Sequence, residues 1–459
     1  MIDVTMPAKG RRRAGFGRLA VLGLQHVLVM YTGCVTVPLV FGAAAGLDAA
    51  TIAVLINADL LVAGVVTMIQ GAGVGRFLGV RMPVMAGAAF TAVTPMILIA
   101  GEYGLQAVYG SMLAAGVFGL LIAYPFAKAV RFFPPLVSGV VITVVGLALI
   151  GVGVNLIVGN DPKAAGHAAP SRLALAAFVV LVILLVARFG RGFLAQTGVL
   201  LGLLAGTAAA VPLGLVDFSA ARAADWIGLS APFHFGAPEF PAVAVLSMCV
   251  VMLVLFAEST ADLIAVAELT GKRLTTTDMA RGLAADGLSG VLGGVMNAFL
   301  DTVFAQNVGL VTMTKVRSRH VATIAGGILV LLGLVPKLGA WVAGLPQPVV
   351  GAAGLVMFAT VAAVGISTLR KVDFDGTHNL LIVAVSIGVG MAPEVAPDLY
   401  SRFPEGVGIV LGSPVTSATL LAFCLNLAFN GGNSQRDAGL VRAPAAEGKR
   451  EAPTGRTRV

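Results

Sequence analysis

Long apolar stretches recur along almost the whole chain, and they constrain its fold more than any other feature. Each is about 20 residues long, and short polar loops separate one from the next. A helix of that length crosses a bilayer core of about 30 Å, whereas barrel strands would alternate polar and apolar residues. Hydrophobic residues make up 58% of the 459 residues and charged residues 11%, against about 25% charged in a soluble domain. The sequence therefore predicts a helical integral membrane protein.

Fourteen membrane crossings are predicted, in two sets of seven. Basic residues concentrate in the N-terminal arm, in alternate loops and in the C-terminal tail, so the positive-inside rule places both termini in the cytoplasm. The tail is rich in Ala, Pro, Gly and charged residues and is expected to be disordered. The predicted spans lie near residues 18–41, 50–71, 83–100, 105–127, 135–158, 172–187 and 195–216, and near 241–268, 282–298, 301–314, 320–343, 347–367, 378–393 and 407–430.

Several function classes find little support in the sequence. The net charge of +8 does not by itself indicate a nucleic-acid partner, because in a membrane protein the position of basic residues matters more than their sum. Cys34, Cys249 and Cys424 all fall inside apolar runs, so we expect buried side chains and neither disulfides nor metal ligands. The chain has no His-Glu-x-x-His, and Gly271-Lys272 lacks the upstream glycine of a phosphate loop. We expect no metal, no cofactor and no enzymatic activity.

Two segments are too polar or too short to be plain spans. They cover residues 81–91 and 300–309, and each takes third place in its set of seven. Paired interruptions at corresponding positions of two halves indicate a binding site near the middle of the membrane in an inverted-repeat transporter. Direct residue identity between the halves is weak, so the repeat is inferred from the layout.

A polar island in the second of these segments carries the strongest functional signal. Residues 304–315 read Phe-Ala-Gln-Asn-Val-Gly-Leu-Val-Thr-Met-Thr-Lys. Gln306 and Asn307 offer amide donors and acceptors to a flat heterocycle, and Gly309 permits close backbone approach. Taken alone, the string could also be a helix-breaking polar patch between spans. The pattern resembles the signature of the nucleobase–ascorbate transporter family, also called nucleobase:cation symporter-2.

Three carboxyl groups lie in or beside apolar spans. Glu258 follows an uninterrupted apolar run over 242–257, and Asp262 lies one helical turn later on the same face. Carboxyls at that depth are costly unless they are paired or functional, although the helix could also be leaving the membrane here. Asp286 begins the next predicted span, where it could merely complement the helix dipole.

The resemblance implies roles for these residues and for others. The Gln-His element of the first span matches Gln25 and His26, for which we favour the organisation of a polar network over direct substrate contact. Phe90 and Phe304 match aromatic residues of the family, and the resemblance implies that both stack on a purine base. The implied substrate contacts are Glu258, Gln306, Phe90, Phe304, Ala89 and Asn307, and the implied coupling or network residues are Asp286, Asp262, His26, Gln25 and Thr314.

Three departures from the family pattern bear on substrate preference. Many members have Asn where Val308 stands, and many purine transporters have Gly or Arg at Lys315. Several relatives have Pro-Tyr or Pro-Leu in place of Leu300-Asp301. Asp301 is therefore an additional carboxyl near the site.

The resemblance also implies an all-α membrane architecture of two inverted repeats of seven spans, with short antiparallel strands in broken spans 3 and 10. A core domain is expected to cover 18–127 and 241–343, and a gate domain 128–217 and 347–430. A cytoplasmic arm at 1–17 and the tail at 431–459 flank them. A homodimer through the gate domains is implied as well.

The function that the resemblance implies is proton-coupled import of an oxidised purine, xanthine or uric acid, across the inner or plasma membrane by alternating access. Its expected partners are the purine, a proton and the lipid bilayer, with no nucleic acid. Uracil is the nearer alternative, although relatives selective for uracil usually place Glu where Gln306 stands. An anion exchanger of the same architecture is the more distant alternative, and it would normally bring a soluble regulatory domain after the last span.

Overall fold

Helices form nearly all of the regular structure. The computed structural model describes residues 16–130, 133–159, 161–164, 166–314, 317–403 and 405–431. Most of the N-terminal arm, nearly all of the tail and Lys315 therefore lie outside the described residues. The elements in order are α1 (Phe16–Ala44), α2 (Ala49–Ala72), β1 (Ala86–Ala88), α3 (Val93–Tyr103), α4 (Leu105–Ala129), α5 (Pro135–Val158), α6 (Pro170–Phe189), α7 (Phe193–Gln196), α8 (Gly198–Ala210), α9 (Ser219–Ala223), α10 (Ala242–Thr270), α11 (Thr276–Met296), β2 (Asp301–Val303), α12 (Ala305–Thr314), α13 (Arg319–Gly333), α14 (Pro336–Ala343), α15 (Gln347–Leu369), α16 (Asn379–Val395), α17 (Glu405–Gly412) and α18 (Pro414–Asn430).

The helices confirm a multi-span membrane protein, although fewer of them are full-length spans than expected. In the described ranges, seven are long and apolar enough to cross a membrane, namely α1, α2, α4, α5, α6, α10 and α15. The predicted span at 320–343 is instead the pair α13 and α14, which bend by 79° at their junction and together would make an eighth. Shorter apolar helices stand at four further predicted spans. The total of fourteen crossings stays a prediction.

The predicted strands in the two interrupted segments are confirmed. β1 and β2 pair antiparallel, with Ala86 opposite Val303 and Ala88 opposite Asp301. Two further backbone bonds extend the pairing, from Ala89 N to Leu300 O at 2.8 Å and from Phe304 N to Met85 O at 2.9 Å. Non-helical backbone within a membrane needs such internal partners, and here each interrupted segment supplies them to the other.

The contacts between helices repeat when the two sets of seven spans are exchanged, a relation that we call the two-fold exchange. We compared each contact between two spans with the contact between the spans seven places away. In this exchange α4 is replaced by α13 and α11 by α2. The structure contains both contacts, α4 with α11 and α13 with α2. The pair α10 and α4 corresponds to α1 and α13, and α6 with α8 corresponds to α16 with α18. The pairs β1 with β2 and α5 with α15 map onto themselves. This pattern supports the inverted repeat, which weak residue identity could not.

Glycine lets two of these related helix pairs cross with their backbones in contact. A Cβ added at Gly116 of α4 would lie 2.3 Å from a backbone nitrogen of α11, and one at Gly287 of α11 would lie 2.7 Å from a backbone nitrogen of α4. At the related crossing, a Cβ at Gly64 of α2 would lie 2.7 Å from the carbonyl oxygen of Gly326 on α13. Small residues at crossings are typical of membrane helices, whose association depends on close packing.

Side-chain caps fix where two of the helices begin. Asp48 precedes α2 and accepts a hydrogen bond of 2.7 Å from the Thr51 N–H. Hydrogen bonds from Thr51 hold the pKa of Asp48 below its ordinary value, because they favour the charged form. Thr275 and Asp278 form a reciprocal capping box at the start of α11. The loops before α2 and α11 are therefore defined by polar contacts.

The expectation that all three cysteines are buried is wrong for two of them. Cys34 is buried, Cys249 is half-buried and Cys424 is exposed. An apolar run predicts a span, but not which of its faces meets other helices and which meets lipid.

Candidate functional site

The pairing of β1 and β2 defines the centre of the candidate site. A short 3-10 turn at Phe90–Ala92 and then α3 follow β1, while α12 begins directly after β2. The amino ends of both half-helices therefore start at the crossing, where their free N–H groups and positive dipole ends favour polar or anionic groups. The arrangement offers a polar site inside an otherwise apolar helical core.

Glu258 of α10 lies beside this crossing. Its Oε2 accepts a hydrogen bond of 3.0 Å from the hydroxyl of Thr91, which is buried directly after Phe90. Glu258 also lines a small cavity of about 10 Å³ between α10, α5 and α18, with Ser138 and Thr419 among its neighbours. That volume suits about one water molecule, so a purine would need the helices to separate. Because α10 continues to Thr270, Glu258 does not mark the end of its helix.

The two candidate stacking residues have different neighbours. Phe90 is 8% exposed and contacts Phe358 of α15 edge to face, with ring centroids 5.5 Å apart. Phe304 is 4% exposed and packs against Gly33 of α1 and Gly87 of β1. Phe90 therefore faces the α15 side of the crossing, whereas Phe304 is held on the α1 side.

Asn307 and His26 form a hydrogen-bonded pair between α12 and α1. The Asn307 Nδ2 lies 3.0 Å from His26 Nδ1 and donates to the His26 carbonyl oxygen at 3.1 Å. Both side chains are 2% exposed, and neither Asn307 Oδ1 nor His26 Nε2 has a partner in the described part of the chain. Since an amide N–H can only donate, Nδ1 of His26 acts as the acceptor. The structure thus joins a predicted substrate residue to a predicted network residue.

The other predicted site residues divide between the site and its surroundings. Gln306 and Gln25 are half-buried, and Ala89 is buried directly after β1. Thr314 donates to the carbonyl of Leu310 in its own helix at 2.8 Å, which does not link it to the His26 pair.

Asp286 occupies the middle of α11 and not its beginning, as the predicted span boundary had placed it. The helix starts at Thr276, so the alternative that Asp286 merely complements a helix dipole does not hold. The carboxyl is fully buried and accepts a hydrogen bond of 3.3 Å from Gln70 of α2. It also interacts electrostatically with Glu258 and with the half-buried Asp262. The three predicted carboxyls therefore form one electrostatic group.

Several residues that support this group were not singled out from the sequence. Gln70 donates to the Gly282 carbonyl as well as to Asp286. Ser259, next to Glu258, bonds the Thr302 hydroxyl of β2 at 2.8 Å. Thr91 and Gln70 could have been found as polar residues within apolar or interrupted segments, whereas the Ser259 contact depends on the strand register.

Comparisons with known proteins agree with this architecture. Residues 17–399 match Xan_ur_permease, described as a permease family. The chain is 42% identical to the uric acid transporter UacT of Escherichia coli strain K12, covering 94% of this chain and 89% of that one. It is 40% identical to the xanthine permease of Bacillus subtilis strain 168, covering 91% and 95%.

A likeness at the level of fold extends to a solved structure. The transmembrane domain of a cyanobacterium bicarbonate transporter, BicA, matches with a TM-score of 0.53 at 14% identity, over 90% of this chain and 96% of that one. This comparison supports the architecture alone. The family match and the relatives over most of the length establish that the chain belongs to the nucleobase–ascorbate transporter family of permeases and is not an enzyme.

Proposed function

We propose that the protein is a proton-coupled symporter that imports an oxidised purine, xanthine or uric acid, across the cell membrane. The observation that carries the proposal is the position of Glu258, held by Thr91 beside two half-helix amino ends at the β1–β2 crossing. The relatives named uric acid transporter and xanthine permease support this substrate class.

Recognition of the purine would use complementary hydrogen bonds and a stacking face. A carboxylate can accept from two ring N–H groups, and bonds to charged groups are the stronger kind. Gln306 can both donate and accept, which suits a base edge that carries carbonyl and N–H groups side by side. Phe90 and Phe304 supply aromatic faces near the same crossing, and Ala89 leaves room beside them. We propose Asn307 as a contact that also orients His26.

Coupling would use a carboxyl that must be neutral before the loaded protein moves. Asp286 is fully buried and interacts with Glu258, so substrate at Glu258 and a proton at Asp286 affect one another. A proton neutralises a charge that is costly to carry through a low-dielectric barrier. Asp262, His26 and Gln25 complete the proposed polar network.

Alternating access would come from movement of the core domain, 18–127 with 241–343, against the gate domain, 128–217 with 347–430. The cavity at Glu258 is too small for a purine, which supports a conformational change during the cycle. A second cavity of about 360 Å³ lies between α1, α2, α5 and α15, lined in part by Ile52, Leu156 and Gln347. The cavity lies at the end of α1 and the start of α2. If the N-terminus is in the cytoplasm, as we propose, this end of α1 is at the outer side of the membrane. We also propose a homodimer through the gate domains.

Uptake assays test this function directly. Cells that express the chain should accumulate radiolabelled xanthine or urate, and an uncoupler should abolish the accumulation. Labelled uracil in a parallel assay tests the nearer alternative, and transport of uracil in preference to both purines would refute the proposed substrate. Bicarbonate and chloride exchange in proteoliposomes tests the anion exchanger.

A further inference from the structure

The chain contains two tryptophans, and both lie close to the bend between α13 and α14. Trp341 of α14 is 52% exposed, and Trp226, from the segment between α9 and α10, is 68% exposed. Ile227 in the same segment is 84% exposed. Residues 225–230, which we call the strap, lie between two predicted spans, so these side chains are not the lipid-facing side of a spanning helix. Surrounded by water, they would carry a considerable hydrophobic cost.

Backbone hydrogen bonds dock the strap onto the bend. The Lys337 N–H donates to the carbonyl oxygen of Asp225 at 3.1 Å, and the Gly228 N–H donates to the carbonyl oxygen of Leu334 at 3.1 Å. The break between α13 and α14 interrupts the helical hydrogen bonds, and in a membrane protein the freed backbone groups need partners of this kind. The strap supplies them, so the position of Trp226 relative to α14 is fixed.

Lys337 places a positive charge beside both rings. Its Nζ lies 4.7 Å from the centroid of the Trp226 ring. Trp341 follows Lys337 by about one helical turn and therefore lies on the same face of α14. Lys337 has no ion pair with a carboxylate among the residues that the structure describes. An ammonium group on an aromatic ring keeps donors available for an anion, so this face suits a lipid phosphate.

The opposite face of α14 is packed against α2. Gly339 is buried there, and a Cβ added to it would lie 2.6 Å from Nδ2 of Asn57. The same Nδ2 donates to the carbonyl oxygen of Pro336 at 3.4 Å. The chain turns by 79° from α13 into α14, and because membrane spans tilt by only about 20° on average, α14 runs close to the membrane plane. A helix in that plane with one packed face and one aromatic and basic face is typical of the membrane–water interface.

We propose that the strap and α14 form an interfacial anchor, in which Trp226 and Trp341 lie among the lipid headgroups and Lys337 binds the phosphate of an anionic lipid. Tryptophan suits this position because its ring is apolar while its N–H can donate a hydrogen bond. Ile227 then contacts the upper part of the acyl chains. The homodimer proposed above uses the gate domain, whereas α14 belongs to the core domain, so that dimer leaves the anchor to the lipid. The anchor does not depend on which substrate is transported.

Tryptophan fluorescence in proteoliposomes tests the anchor, because the chain has only these two rings. Trp341→Phe leaves the signal of Trp226, Trp226→Phe leaves that of Trp341, and the parent gives both if a variant fails to fold. Lipids brominated near the headgroup should quench each ring more strongly than lipids brominated near the chain end or aqueous acrylamide. Strongest quenching by acrylamide places the rings in water, and strongest quenching by the deeper bromine places them in the hydrocarbon core. Quenching by none of the three means that protein, such as a second copy, covers them, and each of these results overturns the proposal.

Brominated anionic and zwitterionic lipids test the role of Lys337. In the Trp341→Phe background, brominated phosphatidylglycerol should quench Trp226 at about one fifth of the mole fraction that brominated phosphatidylcholine needs, because one basic contact favours an anionic lipid by about fivefold. Lys337→Gln should remove this preference, whereas Lys337→Arg keeps the charge and should keep the preference. Lys163→Gln is the matched control, since it removes an exposed lysine of the loop between α5 and α6. A Lys337→Gln protein with the parental preference refutes the binding of a headgroup by Lys337.

Discussion

Gly33 of α1 faces the ring of Phe304, and one added methyl group at this position tests whether the ring belongs to the substrate site. A Cβ at Gly33 would lie 2.1 Å from Phe304 Cζ and 2.8 Å from Cε1. Carbon atoms pack best at about 3.5–4.0 Å, so in Gly33→Ala the ring has to withdraw by about 1.5 Å. Gly87 lies against another edge of the ring, where a Cβ would be 3.1 Å from Cδ2. The ring is confined between α1 and β1 and cannot move without leaving its place at the crossing.

The expected magnitude follows from two costs. Overpacking of a well-filled site costs about 1–3 kcal/mol of stability. Aromatic stacking on a base contributes about 1–3 kcal/mol, so loss of the correct ring position should weaken purine binding by about 5- to 150-fold.

Binding of labelled xanthine or urate to the purified protein, with its melting temperature, is the assay. Gly327→Ala in α13 is the matched control, since a Cβ there meets nothing within 4 Å and alanine favours a helix. In a Phe304→Ala background, Gly33→Ala should add little further loss, because the ring that it displaces is gone. A folded Gly33→Ala protein with parental affinity would show that Phe304 is a packing residue and not part of the site.

Three further substitutions test recognition and coupling. Gln306→Glu replaces an amide by an acceptor-only carboxylate, so uptake of xanthine and urate should fall by about 10- to 100-fold with a shift towards uracil; unchanged purine kinetics in an inserted variant would contradict the role of Gln306. Glu258→Gln should weaken purine binding by a similar factor while Glu258→Asp keeps part of it, since bonds to charged groups contribute about 1.5–3 kcal/mol; equal affinity of the Gln variant, measured on purified protein, would make Glu258 structural. Asp286→Asn mimics the permanently protonated form, so proteoliposomes should lose gradient-driven accumulation but still exchange labelled for unlabelled purine; full accumulation, or a sodium requirement in the parent, would refute the coupling assignment.

The broken spans were predictable because their sequence contradicts the apolar pattern around them. Residues 81–91 and 300–309 interrupt two otherwise regular sets of spans, and the structure places β1 and β2 there. The polar motif likewise predicted the family from a few residues, and the match over 17–399 confirms it. Strong local signals of this kind do not depend on distant contacts.

Helix bounds and side-chain partners were less predictable, because they depend on tertiary packing. The capping box at Thr275 starts α11 well before the apolar run that marks the predicted span, which moves Asp286 to the middle of the helix. The 79° bend between α13 and α14 is also not evident in an apolar run that continues across it. The link between Asn307 and His26 joins residues 281 positions apart, and sequence spacing contains no information on such a contact.

The glycine crossings of α4 with α11 and of α2 with α13 have a mechanical consequence. Where backbones touch directly, there is no rotamer to change and no soft side chain to compress. A force on one helix must therefore displace its partner by nearly the same amount, so each crossing behaves as a rigid unit that joins the two halves of the chain, and the two-fold exchange relates one crossing to the other. Bending within these pairs is thereby suppressed. If the β1–β2 crossing tilts relative to α5 and α15 during transport, the movement has to be absorbed by the short segments that connect them, so we expect those segments to act as the hinges.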